Sequence, residues 1–178
     1  MLIAKFDAPA RLFAHRLGSA LTMERDVAEM SDAFARAARS QELKHDLREH
    51  EGETGRHIVR IEQAFGILGI PIEDRPCPPI EAIDTEARTQ IRRADHAVVD
   101  DVILAAAAAA EHHEIAVYDR LIAEADAVGT REAAVLLRET RDQERRALAE
   151  IRRRISAKAR VPVRRILARS ATRRAIER

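Results

Sequence analysis

Four stretches of this chain carry apolar residues at a helical repeat for longer than most globular helices last, and that pattern limits the fold more than any other feature. The first begins at Asp7 or just after it, with Pro9 suited to an opening turn, and sets Phe13, Leu17, Ala20, Leu21, Val27 and Ala35 on one face as far as about Ala38. The second takes Ser40 as its N-cap, aligns Leu43, Leu47, Ile58, Ile61, Phe65 and Leu68, and is stopped by Gly69 and Pro71. The third runs from about His96 to Ala127 through Leu104, Ala108, Ile115, Tyr118 and Ile122. The fourth, capped by Thr130, carries Ala133, Leu137, Leu148, Ile151 and Ile155.

The connections between these stretches predict their topology. The first and third are short, which makes antiparallel neighbours. The middle one contains the helix-hostile run GIPIEDRPCPP and a short helix from Ile80 to about Arg93. It has to return along the bundle, so that the second and third long helices run parallel. The expectation is an all-α, ferritin-like four-helix bundle with one long crossover carrying a short extra helix. Six glycines, no tryptophan and 3% aromatic residues agree with helices rather than strands.

Charge divides the chain in two. Residues 152–178 hold 11 Lys or Arg and one acid, Glu177, whereas the 20 basic and 29 acidic residues of 1–151 leave that part at about −9. We therefore read 1–155 as the bundle and 156–178 as a basic tail, partly helical or disordered. A flexible polycation suits nucleic acid or another anionic partner, and a solvated extension is the alternative. The single Cys77 excludes an intramolecular disulfide framework and a thiolate-rich metal site. Neither a signal segment nor a membrane span is legible, so a cytoplasmic protein is expected.

Charged residues also stand where the apolar stripes should be. Glu24, Glu111 and Glu144 lie at the centres of their stripes and Glu114 at the edge of its own, while His50, Glu53 and His57 follow the flank of the second helix. One such glutamate is ordinarily a boundary residue whose head reaches water. Here, however, Glu24 and Glu53 lie at similar distances from the first turn, and Glu111 and Glu144 at similar distances from the last. At 1.5 Å per residue each pair falls within about one helical turn. Level-matching turns separate anomalies into one cluster, and buried carboxylates with one or two imidazoles suit iron or manganese, held as a dinuclear centre. Glu24, Glu53, Glu111 and Glu144 are the foremost expected ligands, followed by Glu114, His57 and His50. The fit to the usual di-iron carboxylate pattern is incomplete, because Arg56 and Ala147 stand three residues after Glu53 and Glu144, where that pattern has histidine. Tyr118 reads as a core aromatic, His112 and His113 as boundary or surface residues, and Cys77 as structural or incidental.

Several pieces in order resemble the YciE/YciF group of bacterial ferritin-like, rubrerythrin-related proteins over roughly residues 8 to 155. These are Glu24, His50-x-x-Glu53-Thr54, Arg60-Ile61-Glu62-Gln63, the Cys77 connection, Ala105-Ala106-Ala107, Glu111-His112, Glu114-Ile115-Ala116 with Tyr118, Leu136-Leu137, Glu139-Thr140 and Glu144. The resemblance implies a ferritin-like bundle, a dinuclear metal site, a homodimer and a part in bacterial stress responses. His113 and the basic tail depart from it. Two functions follow as expectations: a metal centre reacting with peroxide or oxygen, or a non-catalytic stress protein whose tail binds a polyanion.

Overall fold

The computed structural model describes residues 8–159, which form five helices: α1 (Pro9–Ala37), α2 (Gln41–Leu68), α3 (Pro78–Arg93), α4 (Val99–Ala127) and α5 (Arg131–Ala159). The four long helices make the bundle. α1 packs against α2 and α4, α5 packs against α4 and α2, and α3 lies across α4 and α1. Cross-helix pairs give the directions. Arg16 near the start of α1 meets Glu124 near the end of α4, and Arg154 near the end of α5 meets Glu42 and Asp46 at the start of α2. Adjacent long helices are thus antiparallel, and the long crossover makes α2 and α4 parallel, as the connection lengths predict.

Local chemistry sets the ends of these helices. The Ser40 hydroxyl accepts from Leu43 N–H at 3.3 Å, and Gly69 closes α2 in the left-handed region with φ 64°. α1 starts from Ala8 with no side-chain cap. The Thr130 hydroxyl donates backwards to the Ala125 carbonyl at 3.0 Å. α4 starts three residues later than the periodicity suggests, because Asp95–Val98 form a turn closed by Val98 N–H on the Asp95 carbonyl at 2.9 Å. The carboxylate of Asp100 then caps the α1–α2 corner, accepting from Arg39 N–H at 2.7 Å and Ser40 N–H at 3.0 Å.

The crossover lies close against α1. Arg75 N–H donates to the Gly18 carbonyl and the Ser19 hydroxyl to the Pro76 carbonyl, and a Cβ at position 18 would strike the Glu73 carbonyl. Gly18 is therefore required by close approach, whereas a Cβ at Gly52 or Gly55 would meet nothing within 4 Å. Phe13, Leu17, Leu21, Met23, Ile61, Phe65, Ile103, Leu121 and Leu137 fill the core, each contributing roughly 1.5–3 kcal/mol through burial. α5 continues past residue 155 to Ala159, with Lys158 paired to Asp101 at 2.8 Å, so the expected boundary falls within a helix. The rest of the basic tail lies outside the described residues. No described helix is long and apolar enough to cross a membrane.

Candidate metal centre

The core is interrupted at mid-height by side chains from all four long helices: Glu24 of α1, His50 and His57 of α2, Glu111, Glu114 and Tyr118 of α4, and Glu144 of α5. Helical spacing brings them there. His50, Thr54 and His57 continue the inward stripe that runs from Leu43 and Leu47 to Ile61, and Thr140 and Glu144 continue that of Leu137.

One group consists of Glu24, His57 and Glu144, all fully buried. His57 Nδ1 lies 2.7 Å from Glu144 Oε1 and 3.2 Å from Glu24 Oε2. Its Nε2 lies 3.1 Å from Gln143 Oε1, which also accepts from Arg60 Nη1 at 2.5 Å. The Tyr118 hydroxyl donates to Glu24 Oε1. With acceptors on both ring nitrogens, the His57 imidazole is held as a cation. Burial alone would lower its pKa, but Glu144 and Glu24 outweigh burial and raise it to about 10. Burial pushes the Glu24 carboxyl above its ordinary value, opposed by the hydrogen bond from His57. The Tyr118 phenol is pushed well up by burial and by Glu24.

The second group consists of His50, Glu111, Glu114 and Glu144. His50 Nε2 lies 3.4 Å from Glu111 Oε1, but His50 Nδ1, Glu111 Oε2 and both Glu114 oxygens are buried without a hydrogen-bond partner. Burial lowers the His50 pKa, so this imidazole is neutral and does not compensate the acids beside it. Burial first and Glu144 second hold Glu111 and Glu114 well above the usual carboxylate range. Within each group the potential ligand atoms lie within 4.8 Å of one another, and Glu144 belongs to both.

Six of the seven expected residues therefore converge. Glu53, expected at the level of Glu24, lies outside both groups, half-exposed on the edge of α2 with Arg56 at 3.5 Å. His57 stands at that level instead, one turn further along α2. Glu114, read as an edge residue, is completely buried, because the inward stripe of α4 passes through Ala107, Glu111, Glu114 and Tyr118. His112 is exposed, with Nδ1 on the Ala108 carbonyl, while His113 is half-buried with Nε2 3.6 Å from Cys77 Sγ. Burial raises the Cys77 pKa and lowers that of His113, so this contact joins a thiol to a neutral imidazole. The sequence reading missed Gln143 and the polar role of Tyr118. Gln143 directly precedes Glu144 and so sits on its flank, which is the only signal the sequence offers for it.

Fold and site together define a class: a four-helix bundle with one crossover and a buried carboxylate–imidazole cluster at mid-height. Residues 8–161 match the family described as Domain of unknown function (DUF892), and the chain belongs to that family. It is 32% identical to Protein YciF of Escherichia coli K12 over 136 residues, which cover 75% of this chain and 82% of that protein. The crystal structure of the E. coli stress protein YciF superposes with a TM-score of 0.84 at 27% identity, covering 88% of this chain and all of that one. YcfI of Rhodopseudomonas palustris, described as a candidate structural protein, superposes with a TM-score of 0.82 at 28% identity over 85% of this chain and 98% of its own.

Proposed function

We propose that this protein is a stress protein whose buried cluster holds two cations of iron or manganese. The observation that carries the reading is the sharing of Glu144 between two groups of potential ligands. A carboxylate has two oxygens and can bridge two cations, as in two-metal sites. His57 and Glu24 would complete one position, and His50, Glu111 and Glu114 the other. Oxygen donors with one imidazole each suit iron or manganese. The unpartnered oxygens of Glu111 and Glu114 support the reading further, since a buried anion needs a compensating charge and the residues around these two supply none.

When bound, such a pair of metals supplies redox chemistry towards peroxide or oxygen. The chain's own residues prepare the place. Gln143 and Arg60 fix the imidazole plane of His57 from its Nε2 side and leave Nδ1 directed at Glu24 and Glu144. Tyr118 orients Glu24 and keeps a hydroxyl proton at that carboxylate. The surrounding apolar core excludes water from the Glu24 side.

The test is metal analysis of the full chain, purified without chelator and loaded with iron or manganese. Two ions per chain are expected, and Glu144→Ala should disturb both positions. Failure to retain either metal would overturn the reading. A second reading, a non-catalytic stress protein attached to nucleic acid or another polyanion, is favoured by the 11 basic residues of 152–178. It expects salt-sensitive DNA binding that disappears when 160–178 are deleted. Homodimerisation and a cytoplasmic setting belong to the proposal, and light scattering tests the first of these.

A further inference from the structure

The two groups of the cluster differ in their access to solvent. The side chains of Glu24 and His57 are wholly enclosed and that of Glu144 is 1% exposed. In the other group the His50 side chain is 13% exposed and that of Glu111 3%, with Glu114 buried behind them. A cleft between α2 and α5 accounts for the difference: it reaches His50, Glu111 and Glu114 and is lined by none of Glu24, His57 and Glu144. Two small residues form its walls at this level. Gly52 stands two residues after His50, and a Cβ there would meet nothing within 4 Å. Ala147 stands three residues after Glu144, about one turn along α5. Nearer the start of α2, Leu43 and Leu47 belong to the packed core, which leaves the way inward at Gly52 and Ala147.

Charge along the cleft favours its inner end. The outer lining holds four acids and four arginines, among them Glu53 paired with Arg56 at 3.5 Å and Asp46 paired with Arg154, so it carries no net charge. At the inner end His50 Nδ1, Glu111 Oε2 and both Glu114 oxygens are buried without hydrogen-bond partners. A cation is therefore attracted to the inner end and not retained on the way. Glu144 contributes to both groups, so an ion leaving the enclosed position can pass to the accessible one without losing every ligand at once.

We infer that the two metal positions exchange with solvent by one route and in a fixed order. Ions pass between Gly52 and Ala147, the His50–Glu111–Glu114 position gives up its ion first, and the Glu24–His57 position empties only through it. Gly52 and Ala147, which ligate nothing, thus set the exchange rate of the centre. The inference rests on the metal reading above and adds to it the route and the order.

The probe is manganese(II), loaded onto the full chain, freed of excess and then challenged with ethylenediaminetetraacetate while protein-bound manganese is followed in time. Release is expected in two phases of equal amplitude, the second slower by about tenfold or more, a decade of rate being about 1.4 kcal/mol of barrier. Gly52→Leu with Ala147→Leu should slow the fast phase by about tenfold and leave two ions bound before the challenge. Gly52→Leu alone, which replaces a helix-interior glycine and so keeps the fold, should slow it by a smaller factor. Gly55→Leu is the control: that glycine of α2 also has open space around it but does not line the cleft, and both phases should stay unchanged. Urea below the unfolding transition should not change the fast phase, because the route needs no local opening of the bundle. Release in a single phase, a fast phase indifferent to both Gly52 variants, equal slowing by Gly55→Leu, or acceleration of the fast phase by urea would each overturn the inference. A chain that retains no manganese overturns the metal reading and this inference together, whereas two retained ions released in one phase overturn the inference alone.

Discussion

The two halves of the buried cluster handle charge in opposite ways. Around Glu24 and His57 the protein supplies most of the compensation itself: an imidazolium lies against two carboxylates, Gln143 takes its other N–H, and Tyr118 donates to Glu24, with Glu144 Oε2 left unpartnered. Around Glu111 and Glu114 it does not, since His50 is neutral and three carboxylate oxygens lack partners. The sealed half resembles a folding element, and the other half holds acids that the fold leaves uncompensated. The difference teaches that burial of acids in one cluster does not give them one role.

The largest expected effect comes from removing the cation of the sealed half. His57→Ala leaves Glu24 and Glu144 buried without compensation and should cost the metal-free protein about 3 to 5 kcal/mol in urea unfolding. A loss below about 1 kcal/mol would show that the sealed half does not rely on its imidazolium.

pH acts next. The folded-state pKa of His57, about 10, exceeds the ordinary 6.5, so the folded protein holds an extra proton between those values. Its stabilisation is complete below pH 6.5 and is lost as pH rises towards 10. Glu24, Glu111 and Glu114 are raised above 4.5 and act in the same direction above that pH. Stability of the metal-free protein should therefore fall from mildly acidic to alkaline pH. A rise across that window in calorimetric melting temperature would contradict the assignment.

Paired substitutions sharpen the contrast. Glu24→Gln disrupts the acceptor set of Tyr118 and His57 and should destabilise by about 1 to 3 kcal/mol. Glu114→Gln removes a carboxylate with no partner and should leave metal-free stability unchanged or raise it, while lowering retention of iron or manganese. Destabilisation of equal size by both would erase the distinction between the halves. Smaller still, Tyr118→Phe should cost about 1 kcal/mol. Glu53→Gln, which touches only an exposed ion pair, should change unfolding free energy by less than about 1 kcal/mol.

Much of this was legible without coordinates. The four helices, the crossover, the Ser40 cap and the Gly69 stop follow from periodicity and from residues with narrow backbone preferences. The anomalous glutamates follow from the same periodicity, because a charge at the centre of an apolar stripe is visible wherever the stripe is. Glu53 shows where that reasoning stops. It stands on the flank of its stripe, and level counting could not separate it from His57, one turn further along, since a shift of four residues moves a side chain only about 6 Å along the axis. Gln143 carries no periodic signal, and the meeting of Cys77 with His113 depends on how the crossover lies against α4.

Sequence alone therefore determined the helices, their order, the parallel relation of α2 and α4 and the presence of misplaced acids, all of which depend on short-range periodicity and connection length. The tertiary structure decided which histidine meets Glu24, that Glu144 serves two groups, and that one half of the cluster is sealed while the other opens between α2 and α5. Those outcomes depend on helix rotation and axial register of a residue or less, which are set by packing summed over whole interfaces and by no single stretch of chain.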